Sequence, residues 1–386
     1  MNIVIVAPFC SLVGEPYFNR FRFLAEMMSE NHRVSLVTSS FFHAQKCQRA
    51  CPRPGEQQYE IVLIDEPGYA TNISLGRIWS HARFVSNFKR WANGFFARQD
   101  VDLVYSAYPL LATNIFLGRL KCQYDFKLVI DVQDVWPEAI SSAIPLVKRL
   151  PRSIIPFSRK ADRAYRAADQ LIAVSETYLA RASSANPRAA ASVLYIGADV
   201  SLIERIAAKP LPRDEVHFAY IGSVGHSYDI RTLIEAFNQF RQENLNFRLH
   251  IMGDGVGVEE LRKRASPSIT FYGFLPYETM IAMAKSVDFF INPIKNSAMQ
   301  SVTNKLSDYF VLGKPVISSQ ACNEVKGLLE LIPSENYQAG SVDSLRAAIK
   351  RLRGRDLNCD GRLARMFDRR RSYAEMITGL TRSCNV

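Results

Sequence analysis

Short apolar runs alternate with longer stretches of helical spacing along this chain, and the alternation restarts once near its middle. In the first half, IVIVAPF (3–9), VSLVTSS (34–40), YEIVLI (59–64), DLVYSA (102–107), FKLVIDV (126–132) and QLIAVS (170–175) have the length and composition of buried strands. Segment 16–29 sets Phe21, Leu24, Ala25 and Met28 on one helical face, with Pro16 suited to a first helical position. The stretch AKPLPRDE (208–215), with two prolines and mixed charge, reads as a linker. Beyond it the series resumes with HFAYIG (217–222), a helix over 232–240, FRLHIMG (247–253), ITFYGF (269–274), a helix over 279–286, DFFINPI (288–294) and PVISS (315–319). Continuously apolar strands separated by helices predict an α/β protein with a doubly wound parallel sheet in each half. A chain of 386 residues also exceeds what one core usually supports, so two domains are expected, 1–207 and 208–363.

Ligands of doubly wound sheets bind at the carboxyl ends of the strands, which selects the loops that matter. The richest is QSVTNKLSDYFVLGKP (300–315). Ser301, Thr303 and Asn304 are helix-capping types, and Gly313 and Pro315 end the helix they begin. Lys305 and Asp308 share a face near the start of that helix. There the free backbone N–H groups and the lysine charge suit a phosphate, and the carboxylate can accept from sugar hydroxyls. A solvated Lys305–Asp308 ion pair is the plain alternative. In DVQDVWPE (131–138), Asp131, Asp134 and Glu138 crowd one strand end beside Gln133; they either serve a ligand or form a solvated loop with Asp134 or Ser141 as a cap. Gly14, in the first loop, and the glycine-bearing loops GSVGHSYD (222–229) and GDGVGVEE (253–260) can bring backbone close to an anion. His226 could donate to a phosphate or simply be solvated.

Charge adds a second question. The formal net charge is +11, which fits phosphorylated ligands, an anionic membrane surface or nucleic acid, the last disfavoured because no nucleic-acid motif is present. Two stretches bear on the membrane. In one, Phe84, Phe88, Trp91 and Phe95 recur at helical spacing among Arg83, Lys89, Arg90 and Arg98; the other, 147–166, carries seven basic residues. The first is equally an amphipathic helix packing its aromatic face on a sheet, which is the commoner arrangement. No apolar run approaches the roughly 20 residues that span a bilayer, and the N-terminus reads as a first strand rather than a signal peptide. Seven scattered cysteines are an odd number, and Cys47 and Cys51 lack a second nearby pair; reduced thiols in a cytoplasmic protein, without zinc, are expected.

The order YIGSVG, HIMGDGVGVEELRKRA, ITFYGFLPYETM, DFFINPI, TNKLSDYFVLGKPVIS resembles the C-terminal half of the retaining nucleotide-sugar glycosyltransferases of family 4, which have the GT-B fold. DVQDVWPEA is similar to the bacterial branch that builds surface polysaccharides such as capsule, exopolysaccharide or O-antigen. The resemblance implies two facing Rossmann-like domains with a cleft between them, the donor on the second and the acceptor on the first. A C-terminal helix within 364–386 would cross back to the first. It implies no metal or other cofactor beyond a nucleotide-diphosphate sugar donor, and a sugar or undecaprenyl-diphosphate-linked acceptor. The donor side would comprise Gly14, Gly222, Ser223, His226, Gly253, Asp254, Leu275, Ser301, Thr303, Asn304, Lys305 and Asp308. The reacting centre would involve Asp134, Asp131, Gln300 and Glu138, with Asp134 as base. The family's Glu-x7-Glu pair falls on Gln300 and Asp308, its phosphate-loop Arg and Lys on Ser223 and Tyr228, and its first-domain histidine on Gln133. These departures keep two rivals open: a non-catalytic nucleotide-sugar-binding subunit of an assembly complex, and a nucleotide-sugar epimerase.

Overall fold

Strand after strand in each half lies parallel to its neighbours. The computed structural model describes the chain apart from residues 16–17, 51–54, 56, 72–73, 139–154, 297–301, 356 and 383–386. The described residues form two compact units, Met1–Leu194 with Tyr373–Val386, and Tyr195–Ser372. The chain therefore passes between units twice, and the proline-bearing stretch 208–215 lies inside the second.

The first unit holds β1 (Asn2–Val6), α1 (Arg20–Ser29), β2 (Arg33–Ser39), the two-residue strands β3 (Phe41–Phe42) and β4 (Cys47–Gln48), β5 (Glu60–Ile64), α2 (Leu75–Phe96), β6 (Leu103–Tyr108), α3 (Leu111–Tyr124), β7 (Lys127–Val132), α4 (Ser158–Arg166), β8 (Gln170–Ala173), α5 (Glu176–Ala185) and β9 (Ala190–Val193). Seven strands form one parallel sheet in the order β5-β2-β1-β6-β7-β8-β9. Side chains alternate across it: Val4 and Val6 pack on one face with α2 and α3, Ile3 and Ile5 on the other with α1. Each such fully buried side chain contributes about 1.5–3 kcal/mol. Helix α1 begins at Arg20, because Asn19 takes extended backbone and its side chain accepts from the amides of Phe21 and Arg22; Pro16 lies outside the described residues. Phe84, Phe88 and Phe95 of α2 are buried in the core, so this helix spends its aromatic face on the sheet, not on a membrane. Among the described residues no helix is long and apolar enough to cross a membrane.

The second unit follows the same plan with α6 (Val200–Arg205), β10 (Val216–Ile221), α7 (Ile230–Gln242), β11 (Phe247–Met252), α8 (Val258–Arg264), β12 (Ile269–Gly273), α9 (Tyr277–Ala284), β13 (Phe289–Asn292), α10 (Asn304–Leu312), β14 (Val316–Ser318), α11 (Asn323–Leu329), β15 (Ser334–Asn336), α12 (Val342–Arg353), α13 (Arg362–Met366) and α14 (Arg369–Arg382). Its six parallel strands run β12-β11-β10-β13-β14-β15. The order reverses between β10 and β13, so the connections leaving these two strands diverge to opposite faces and open a crevice at their carboxyl ends. The first unit reverses likewise between β1 and β6. Two Rossmann-like parallel sheets in one chain agree with the expected GT-B plan. Helix α14 starts in the second unit, and from Tyr373 onward it belongs to the first, where Tyr373 and Leu380 fill the core beside Phe23.

Candidate functional site

The crevice between β10 and β13 is furnished by α10. Phe310 and Leu306 anchor this helix in the core, and Gly313 ends it in left-handed backbone. Its other face carries Lys305 and Asp308, both buried rather than solvated, so the surface ion pair does not form. Lys305 extends toward the carboxyl end of β10. Its Nζ lies 3.8 Å from the ring centre of Tyr228 and 4.6 Å from that of Tyr220, and it donates to the Tyr220 hydroxyl at 3.4 Å. Among the described residues it meets no carboxylate. Burial alone pushes its ammonium down to about 7. Two aromatic faces partly offset the loss of water, but a buried cation without a counter-charge remains costly.

Asp308 lies one turn further along. Its Oδ1 accepts the Tyr277 hydroxyl at 2.8 Å, and burial pushes its carboxyl up to about 6. At the head of α10, Thr303 takes extended backbone without a side-chain cap, and its buried Oγ1 has no hydrogen-bond partner. Among the described residues, the missing side-chain cap and the orphaned hydroxyl leave hydrogen-bonding capacity at the head of α10. Tyr309 fixes the helix to the sheet: its hydroxyl accepts from the Ile221 amide at 2.9 Å, and its ring stacks on Phe290.

The glycine loops border the same place. Gly222 follows β10 with φ +133, and a Cβ there would lie 3.3 Å from Nζ and Cε of Lys305. Gly253 has a different reason for lacking a side chain. A Cβ would come within 1.9 Å of the Gly222 carbonyl oxygen, so the loops after β10 and β11 touch backbone to backbone. The Val224 amide donates to the Asp254 carbonyl across that contact at 2.9 Å. Ser223, His226 and Asp254 are exposed on these loops, and Leu275 is half-buried in the core beside β12. Gln300 and Ser301 lie outside the described residues.

In the first unit the expected acids separate. Asp131 does not face an acceptor. Fully buried, its Oδ2 accepts from Arg20 Nε at 2.7 Å and from the Tyr105 hydroxyl at 2.5 Å. Arg20 also donates to the Leu194 carbonyl at 2.7 Å and the Tyr373 hydroxyl at 3.0 Å, so this pair joins α1, β6, β7 and α14 as internal bracing. Glu138 accepts from Arg181, which also holds Asp162 at 3.0 Å. Asp134 is half-buried; burial raises its carboxyl above the ordinary range, and its Oδ1 accepts from the Val135 amide at 2.7 Å. Gln133, at the family's histidine position, is half-buried with Nε2 unpartnered. Gly14 takes φ +83 with open space around it, in a loop tied by Glu15 and Arg49 at 2.6 Å.

Sequence reasoning did not single out Tyr220 and Tyr277, nor the aromatic role of Tyr228. A signal was available for Tyr228, which stands where the family has a lysine: the cationic partner is replaced by a ring that receives the cation of α10.

Comparison with known proteins adds three findings. Residues 215–353 match the family model described as glycosyl transferases group 1, all of it within the second unit. Over 148 residues the chain is 28% identical to the putative colanic acid biosynthesis glycosyl transferase WcaI of Escherichia coli K12; the match covers 36% of this chain and 36% of the length of that relative. Among solved structures, Anabaena HepE in complex with UDP superposes with a TM-score of 0.66 at 16% identity, covering 99% of this chain and 100% of that one. Sucrose-phosphate synthase from Thermosynechococcus elongatus superposes with 0.66 at 15% identity, covering 99% and 98%. WaaG, a glycosyltransferase involved in lipopolysaccharide biosynthesis, superposes with 0.55 at 14%, covering 96% and 95%. At these identities the structural likenesses establish the fold.

Proposed function

For a chain whose residues 215–353 match the family model of group 1 glycosyl transferases and whose fold is that of GT-B structures, we propose transfer of a hexosyl group from a nucleotide-diphosphate sugar. The acceptor is a sugar or an undecaprenyl-diphosphate-linked sugar in the synthesis of a bacterial surface polysaccharide, and the anomeric configuration is retained. One observation carries this reading: Lys305 is a buried ammonium with aromatic neighbours and, among the described residues, no counter-ion, at the carboxyl end of the strands where the sheet order reverses. A diphosphate supplies the missing charge. Uridine is the favoured base, because HepE, on the same fold, is seen with UDP and with UDP-glucose.

In this reading the pyrophosphate lies against the head of α10 and the backbone of Gly222, with Lys305 neutralising the charge that grows as the sugar departs. Asp308, steadied by Tyr277, accepts from the ribose hydroxyls. Gln300 contacts the donor sugar, and Asp134 is the remaining carboxylate for the acceptor hydroxyl, since Asp131 and Glu138 are occupied by arginines. The crevice acts by excluding water and by orienting groups before charge develops.

Titration calorimetry with UDP tests the site. Lys305→Met is expected to weaken binding by about 10–100-fold, the loss of one charge-assisted hydrogen bond in a buried setting. Unchanged affinity would remove the assignment. Incubation with donor and a panel of lipid-linked and free sugars, with the product anomer read by NMR, tests transfer. The neutral Gln300 favours one rival, a non-catalytic donor-binding subunit. That rival predicts UDP binding that depends on Lys305 without transfer to any acceptor.

A further inference from the structure

At the β2–β5 edge of the first sheet, three side chains converge without a role in the donor reading. His43 follows β3, Glu66 follows β5, and His81 lies on the second turn of α2. The Nε2 of His43 lies 3.2 Å from Glu66 Oε2, the Nε2 of His81 lies 4.0 Å from Glu66 Oε1, and the donor atoms of all three fall within 4.8 Å of one another. We propose that this cluster is a binding site for a divalent transition metal of the zinc class, with His43 Nε2, His81 Nε2 and the Glu66 carboxylate as ligands.

Several features of the cluster support a built site. Both imidazole Nε2 atoms are buried and make no hydrogen bond, although they point at the same carboxylate. Glu66 is 1% exposed and lies against two serine hydroxyls and these two rings: Ser39 Oγ donates to Oε2 at 2.6 Å and Ser80 Oγ to Oε1 at 2.7 Å. Each oxygen retains a further lone pair for a cation. His43 is held from behind by the Tyr69 hydroxyl, 3.0 Å from Nδ1, the kind of outer contact that fixes the ring of a metal-binding histidine. Phe9 packs on both rings, with centroids 4.6 Å from His43 and 5.6 Å from His81.

The spacing also suits the ion. Tetrahedral coordination at 2.0–2.1 Å sets neighbouring ligand atoms about 3.3 Å apart; two such separations here are 3.2 and 4.0 Å, so small ring movements close the site. Two imidazoles with one carboxylate select zinc, iron, cobalt or nickel over magnesium or calcium. With three protein ligands from a hairpin, a loop and a helix, the ion would fasten these elements together and keep one position open. This inference stands apart from the donor site: it concerns other residues in the other unit.

The test uses untagged full-length protein, stripped with a chelator and titrated with zinc alone. The expected result is one equivalent bound per chain, with a melting temperature that rises on zinc addition and returns with chelator. His81→Ala and His43→Ala each abolish that equivalent, while Cys47→Ser, an exposed thiol nearby in sequence, keeps it. Circular dichroism accompanies each variant. His81 is the more exposed of the two histidines, so its variant carries the test if His43→Ala fails to fold. Wild-type protein that binds no zinc, an equivalent that survives His81→Ala, or one that disappears with Cys47→Ser overturns the proposal. Any of these leaves His43 and Glu66 as a metal-free polar pair.

Discussion

Lys305 sets folding against binding within one side chain. Its ammonium, ordinarily near 10.5, is pushed down to about 7 by burial. The unfolded chain therefore binds more protons than the folded one between those values, so stability rises with pH across that window, and the cost is fully present below about 7. Replacing it with methionine is expected to raise the melting temperature of the ligand-free protein at pH 6, with the gain fading toward pH 10, while binding suffers. A bound diphosphate favours the ammonium, so UDP binding at pH 8 should take up close to one proton. Calorimetry in buffers of different ionisation enthalpy reads this directly, and affinity should fall about tenfold per unit as pH climbs above 7. Zero uptake at pH 8 would mean that the phosphate does not meet Lys305. Asp308 works in the opposite sense: its carboxyl, raised to about 6 by burial, makes stability fall as pH rises from 3.8 to 6. At this scale Lys305 and Asp308 could be picked out as helix-start residues because the residues that announce a helix start lie beside them; that they serve a donor remains the proposal. Asp131 was misread because its partner, Arg20, lies 111 residues away, and a carboxylate before a loop looks the same whether it faces ligand or an arginine.

Helix α10 and the two glycine loops form one element-level unit, in which backbone contact replaces side-chain packing. Gly253→Ala places a methyl 1.9 Å from the Gly222 carbonyl oxygen, and neither is the far end of a flexible side chain. Gly253 moreover sits at φ +148, where other residues are strained. The loop after β10 must then move, and with it the Gly222 backbone beside Lys305. UDP affinity is expected to drop at least tenfold while the far-ultraviolet circular dichroism is kept. Full affinity would show that the loops do not shape the donor crevice. The sequence made these loops look like anion cradles; that two of their glycines serve each other was hidden, since spacing along one loop says nothing of a neighbour 31 residues on. The strands were legible as continuous apolar runs. Short β9 and β15 were not, having too few apolar residues to stand out from loops. The aromatic spacing of α2 was equally readable as core or membrane face, and the core took it.

At the scale of the whole molecule, the two-domain plan followed from length and from the restart of the strand series. The place where the chain changes units did not. Prolines at 208–215 resemble a linker locally, whereas the units divide at Leu194 and again at Ser372. The second passage leaves Tyr373 fully buried in the first unit, against Phe23 and under Arg20, whose guanidinium carbon lies 5.1 Å from its ring centre. Tyr373→Ala removes this packing and one of the partners of a buried arginine. It should destabilise the first unit by about 3–5 kcal/mol, seen as an earlier transition in urea. The transition of the second unit should stay in place.

That same tyrosine bears on when the protein can mature in the cell. The ribosome makes residues 1–194 before residues 373–380, so the hole that Tyr373 and Leu380 fill stays open while 195–372 are made. The opening domain is thus held back from its finished state while the entire second domain emerges and folds. A nascent chain stalled anywhere before Tyr373 should still call on chaperones for a domain synthesised long before.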